Sequence, residues 1–286
     1  PSPLRSRNNL AYSYQTEGRF DEAIALFERN LADHERFLGP DHDLTLSALK
    51  NLANACQEAD RLDEATSLFE RVLTDSIRIL GPDDPGTFIS RNNLAGAYQG
   101  SGRINKAIPL FQQNLTDSAR ALGPDHHDTV VFRNNLANAY AIAGKLDRAI
   151  PLFEQILNDH ERSLGPDHPH TLASRGNLAD AYREAGRLES AIDLFTKNLA
   201  YHEQILGPEN PNTLSSRNNL AGSYKDAGRL EKSIELFERV LTDRERILGP
   251  DHPDTLASRN NLARAYQDAD RLEQAIPLFE QNLTDS

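Results

Sequence analysis

Apolar positions along the chain fall into paired helical stripes. Across residues 256–283, Leu262, Ala263 and Tyr266 recur at three- and four-residue spacing; after a short polar break, Leu272, Ala275, Ile276, Phe279 and Leu283 do the same. This predicts two amphipathic helices joined by a tight turn. The pair returns at a fixed step, marked by glycines at 39, 81, 123, 165, 207 and 249, always 42 residues apart. A period of this size predicts an all-α solenoid, whose units stack because none buries its apolar face alone. About seven such repeats fill residues 1–286 as a single array, with Leu-Gly-Pro connectors at 38–40, 80–82, 122–124, 164–166, 206–208 and 248–250. The chain opens on Pro1-Ser2-Pro3 and closes on Thr284-Asp285-Ser286, so both ends are expected to cut through a repeat of a longer protein.

The connector Leu248-Gly249-Pro250-Asp251-His252-Pro253-Asp254-Thr255-Leu256 reads as stop, turn and start. Glycine is expected to close one helix in the left-handed conformation, and Pro250 forbids continuation. Asp251 and His252 form a polar turn, Pro253 suits the first position of the next helix, and Asp254 complements its dipole. Between the two helices of a repeat stand Gly18, Gly102, Gly144, Gly186 and Gly228, replaced by Asp60 and Asp270, which tolerate a left-handed turn at some cost. Alanines at 23, 65, 107, 149, 191 and 275 permit close helix approach, and phenylalanines at 27, 69, 111, 153, 195, 237 and 279 fill the space between repeats. Prolines at 109, 151 and 277 fall early in the second helix, where a mild bend is expected.

Composition narrows the function. No apolar run approaches the ~20 residues of a membrane span, and a net charge of -12 argues against nucleic acid, which needs a basic face. The single cysteine, Cys56, excludes an internal disulfide and suits a reducing cytoplasm; it occupies a slot held elsewhere by Tyr14, Tyr98, Tyr140, Tyr182, Tyr224 and Tyr266, so a core role is expected.

The pattern Asn-Leu-Ala-x-x-Tyr, Gly-Arg, Ala-Ile-x-Leu-Phe resembles the tetratricopeptide repeat (TPR) over the whole chain, and its 42-residue form with the LGPDHP connector is similar to kinesin light chain repeats and to arrays in bacterial signal-transduction ATPases. The resemblance implies a right-handed TPR superhelix (alpha-solenoid) of helix-turn-helix repeats. In it the first helix of each repeat lines a concave groove that binds protein or peptide. It equally allows a sensor or autoinhibitory segment of a larger nucleotide-binding signalling protein. No enzyme activity and no cofactor are expected.

On the groove side of the first helices lies an Asn pair. Its second member is present throughout, as Asn9, Asn51, Asn93, Asn135, Asn177, Asn219 and Asn261; Asn92, Asn134 and Asn138 share the face. An amide ladder suits an extended peptide backbone, and it equally suits bonds that set the pitch of neighbouring repeats. Groove charges balance, with Arg5, Lys50, Arg183, Lys225 and Arg264 against Glu58, Asp180, Glu184, Asp226 and Asp268. Arg7, Arg91, Arg133, Arg175, Arg217 and Arg259 would tip the groove positive unless they pair with acidic neighbours. A carboxylate clamp for acidic chaperone tails is half present: Lys50, Asn54 and Asn93 match it, whereas Val131 and Asn135 do not. Those departures place an apolar anchor at Ile89, Val131 and Ile142, beside Val130, Phe132, Ala141, Gly96 and Gly100, although Val130 and Phe132 could face the core. His42, His126, His168 and His252 recur once per repeat, too far apart to share a metal ion. A monomer is expected in dilute solution, with end-to-end stacking through Leu10, Tyr14 and Phe20 against the last helix at high concentration.

Overall fold

The computed structural model describes residues 3–284, so Pro1, Ser2, Asp285 and Ser286, on which the expectation about the chain ends partly rests, lie outside the described residues. Among these residues the fold is all-α, with fourteen helices and no strand. The first helix of each repeat is α1 (Pro3–Thr16), α3 (Asp43–Glu58), α5 (Pro85–Gly100), α7 (His127–Ile142), α9 (Pro169–Glu184), α11 (Pro211–Asp226) or α13 (Pro253–Asp268). The second is α2 (Phe20–Leu38), α4 (Leu62–Leu80), α6 (Ile104–Ala121), α8 (Leu146–Leu164), α10 (Leu188–Leu206), α12 (Leu230–Leu248) or α14 (Leu272–Thr284). Two compact units result, Pro1–Lys145 and Leu146–Ser286, with the border in the Gly144-Lys145 turn. Within each, every helix packs on its neighbour in sequence.

Each hairpin closes by the same hydrogen bonds. The backbone N–H after the turn residue reaches back five positions, Arg19 to Tyr14, Arg61 to Cys56 and Arg229 to Tyr224, at 2.8–2.9 Å, which is the Schellman closure. The turn residue must then take a positive φ; Gly18 has 76°, and Asp60 and Asp270 accept 58° and 59°. The connector glycines differ from expectation. Gly39 has φ 87° and ψ 167°, and Gly249 has φ 93° and ψ 162°, so the chain leaves the helix extended in a region only glycine visits, not in the left-handed helical one.

Two connector residues carry more than the sequence reading assigned them. Thr45, Thr87, Thr171 and Thr213 are buried and donate from Oγ1 to the carbonyl of the connector glycine six residues earlier, each at 2.7 Å. The repeated histidines are helix caps: Nδ1 of His42, His126, His168 and His252 accepts the backbone N–H two residues on, at 3.1–3.2 Å. Asp84 and Asn210 do the same for α5 and α11. The signal for both was in the nonapeptide, whose threonine stands in every copy and whose cap position holds His, Asp or Asn.

The core follows the periodicity. Ala23, Ala65, Ala107, Ala149 and Ala191 are fully buried, and Phe27, Phe69, Phe111, Phe153, Phe195 and Phe237 nearly so, while Phe279 is half-buried. Cys56 is buried, and burial together with Glu64 pushes its thiol up to about 11, which makes it core, not nucleophile. In its slot Tyr98 and Tyr182 donate to Glu70 and Glu154 at 2.5 and 2.6 Å, tying each first helix to the second helix of the repeat before. The helices run through Pro109, Pro151 and Pro277 in their second turn. On α14, Leu272, Ile276 and Leu283 are exposed, as is Leu10 on α1, while Tyr14 and Phe20 are half-buried.

Candidate functional site

The first helices turn one face outward, and the Asn pairs lie along it. Asn51, Asn92, Asn93, Asn134, Asn135, Asn138, Asn177 and Asn219 are all half-buried there. Several amides already serve each other across repeats. Asn51 donates to Asn8 at 3.3 Å, Asn135 to Asn92 at 2.8 Å and Asn261 to Asn218 at 3.1 Å. The second Asn of one repeat thus bonds the first Asn of the repeat before, side chain to side chain. Two positions lack the amide acceptor: Lys50 precedes Asn93 and Gly176 precedes Asn219 in the register where Asn8, Asn92 and Asn218 stand.

The arginine row takes the second of its two readings, pairing with acidic neighbours. Arg91, Arg133, Arg175, Arg217 and Arg259 are buried, not groove-lining. Arg175 donates to Asn198 Oδ1 at 3.2 Å, Glu161 at 2.8 Å and the Pro166 carbonyl at 3.2 Å, which clamps the connector between two second helices. Arg259 repeats this with Asn282, Glu245 and the Pro250 carbonyl at 3.1, 3.0 and 3.4 Å, while Arg217 is held by Glu203 and Asp243 at 2.8 and 3.0 Å. Their positive charge is spent inside the array and does not tip the outward face positive.

The expected balance of groove charges is visible in Leu146–Ser286. Arg183, Glu184, Lys225, Asp226 and Arg264 line a cavity of about 400 Å³ together with Asn218, Asn261 and Phe237. Arg183 lies 3.1 Å from Asp180 and 3.9 Å from Asp226, and Lys225 lies 3.4 Å from Asp268. The predicted groove residues Arg183 and Lys225 therefore do meet, in a zwitterionic pocket. Burial raises the Asp180 carboxyl above its ordinary value, against the pull of Arg183. In the other unit burial lowers the Lys50 ammonium, with Asp84 opposing.

Apolar surface is distributed more widely than expected. Ile89, Val131 and Ile142 are exposed on α5 and α7, while Phe132 is buried in the core and Val130 is half-buried. Gly96 and Gly100 leave open space beside them. Two cavities occupy equivalent places in the repeat. One of about 550 Å³ lies between α1, α2 and α3, lined by Leu4, His34, Leu38, Ser47 and Asn51. The other, about 430 Å³, lies between α9, α10 and α11, lined by Leu172, His202, Leu206, Ser215 and Asn219. Each residue of the second set stands four 42-residue steps after its counterpart. The exposed Phe37 and Leu44 rim the first, and Ile205 rims the second. The sequence reading missed both, although the helix-end pairs Phe37-Leu38 and Ile205-Leu206 extend apolar character past the core stripe.

Among the described residues no group of three acidic, histidine or cysteine side chains could hold a metal ion, and no helix is long and apolar enough to cross a membrane.

The tetratricopeptide repeat model matches residues 3–75, 54–116, 86–158, 128–201, 189–241 and 212–284. No curated protein matches the sequence. Among solved structures, a Podosopora anserina putative kinesin light chain with nearly identical TPR-like repeats is 32% identical, over 71% of this chain and 96% of that one, with TM-score 0.64. BtubC (BKLC) from P. vanneervenii is 20% identical over 78% of this chain and 90% of its own, also with TM-score 0.64. A signal transduction ATPase with a tetratricopeptide repeat sensor from Pyrococcus horikoshii shares the fold over 99% of this chain and 42% of its own, at 16% identity and TM-score 0.72.

Proposed function

Because the chain belongs to the tetratricopeptide repeat family, whose repeats serve in general as protein-interaction modules, we propose that it binds an extended peptide or a partner helix along the outward face of its first helices. The observation that carries this reading is the recurrence of one cavity type at equivalent repeat junctions, between α1 and α3 and between α9 and α11. Each offers apolar walls and a half-buried amide, Asn51 or Asn219, so an apolar side chain can seat while the amide meets peptide backbone. Asn93 and Asn219, with no amide acceptor in the repeat before, are the best placed to bond a partner. The exposed Ile89, Val131 and Ile142 supply further apolar contact. Paired charges around Arg183 and Lys225 orient the partner more than they hold it, since exposed ion pairs are worth about 0–1 kcal/mol.

A selection from a random peptide library on the full chain tests the reading. Recovered peptides should bind Asn93→Ala/Asn219→Ala at least ~10-fold more weakly, which corresponds to about 1.4 kcal/mol, and should bind Glu235→Ala, on a second helix, unchanged. The circular dichroism melt should be nearly unaffected. Peptides indifferent to the Asn changes and sensitive to Glu235 would move the site to the other face.

A further inference from the structure

The same inter-repeat contact is made by different chemistry along the chain. Between the end of a second helix and the middle of the next first helix, Ser76 meets Ser90 at 2.8 Å, His160 meets Ser174 at 2.7 Å, His202 meets Ser216 at 2.7 Å and Arg244 meets Ser258 at 2.7 Å. Serine does not titrate and arginine stays charged, so of these four contacts the two with histidine are the ones that can gain a charge between pH 5 and 8; His34, in the same register, bonds the Asn30 carbonyl of its own helix at 2.7 Å. The two bracket the α9–α10 hairpin, with His160 docking α9 from α8 and His202 docking α11 from α10. A third imidazole caps α9 itself, since Nδ1 of His168 accepts the His170 backbone N–H at 3.2 Å.

We propose that the repeat junctions on either side of the α9–α10 hairpin form an acid-labile joint, at which falling pH loosens α9 and α10 ahead of the repeats joined through serine or arginine. Three imidazoles crowd one side of it: the His168 and His170 rings lie 5.2 Å apart and those of His160 and His170 6.1 Å apart. A proton on His168 Nδ1 removes the cap acceptor and sets positive charge at a helix N-terminus. Two of the other three histidine caps have an acidic companion; Asp128 lies 3.9 Å from His126 and Asp254 4.0 Å from His252, where His42 has Leu44 and His168 has His170. The carboxylates nearest the joint are engaged, Asp159 with Arg162 at 3.1 Å, Glu161 with Arg175 at 2.8 Å and Glu203 with Arg217 at 2.8 Å. Asp167 shares the cavity wall with His202.

Burial depresses both His160 and His202 below the ordinary imidazole value; at His160 a hydrogen bond to the His170 backbone and the charge of Asp159 oppose it, while the charges of His170 and His168 add to it. The sign follows. The opened chain takes up protons near pH ~6.5 while the folded joint stays neutral, so its stability is complete above that pH and is lost as pH falls toward the folded values. Each proton bound only by the opened state raises opening about tenfold per pH unit.

Hydrogen exchange on the full chain at pH 7.5 and 5.5, corrected for intrinsic rates, tests this. Protection in α9 and α10 should fall at least ~10-fold more than in α5 and α13. A variant borrowing the array's own alternatives, His160→Ser with His202→Ser and His168→Asp, should keep protection at pH 7.5 and lose the difference. Equal acid loss in all repeats, or the same local loss in the variant, would overturn the proposal. Should the variant fold poorly, NMR titration of the native imidazoles decides: His160 and His202 must titrate below pH ~6.5, and values at or above it refute the joint.

Discussion

Replacing Arg175 by leucine gives the sharpest test of the buried clamp, because the array contains its own apolar version. In the second repeat Leu49 stands in the arginine's register and Val72 in that of Asn198, and both are buried. Arg175→Leu strips Asn198 Oδ1 of its 3.2 Å donor and the Pro166 carbonyl of another. Asn198 is only 4% exposed, so its oxygen cannot turn to water, and an orphaned buried acceptor costs about 1–3 kcal/mol. Glu161 is 42% exposed at its side chain and resolvates, so its lost pairing adds at most about 1 kcal/mol. The expected loss is therefore about 2–3 kcal/mol, confined to α8, α9 and α10. Asn198→Val alone breaks the 2.8 Å bond from its amide to the Leu172 carbonyl and leaves the guanidinium short of a partner, costing about 1–2 kcal/mol. The double variant recreates the Leu49–Val72 arrangement and should cost about 1–2 kcal/mol less than the sum. Repeat arrays do not unfold in a single step, so hydrogen exchange of the α9 and α10 amides is the measurement, not one melting temperature. A single-variant loss under about 0.5 kcal/mol, or additivity within about 0.5 kcal/mol, would refute the clamp.

Phe153→Ala, at a side chain 2% exposed, should cost about 3–5 kcal/mol and lower exchange protection chiefly in α8 and α9; uniform loss through α8–α14 would contradict nearest-neighbour coupling. Asp60→Gly and Asp270→Gly, at the positive-φ turns where other repeats use glycine, should each raise stability by about 0.5–1 kcal/mol, and a fall in urea midpoint for either would show that the carboxylate holds the turn.

Most of the helical architecture was legible in the chain. The 3.6-residue apolar stripes, the 42-residue period and the glycine and proline punctuation act within a turn or two of backbone, and local steric rules decide them without reference to distant partners. The positive φ at Asp60, the burial of Phe153 and the core place of Cys56 followed from register alone. The conformation of Gly39 and Gly249 did not, because an extended exit and a left-handed one begin from the same positive φ.

The candidate binding face was less legible, because register assigns a side chain to a sector of its helix but not to a partner. Arg175 stands one residue from the Gly176-Asn177 pair, yet its long stem carries the guanidinium inward to an acceptor 23 residues on and another 14 residues back. Amides at Asn92 and Asn135 could have faced a peptide or each other, and the 2.8 Å spacing of neighbouring helices' side chains chose the latter. His160 and Arg244 occupy one register with different chemistry, and only the serine opposite each reveals the shared task. Sequence determined the repeat and its punctuation because those are set by short-range backbone energetics; the tertiary structure alone decided which polar groups were consumed in holding repeats together, since burial and hydrogen-bond saturation exist only once the helices have packed.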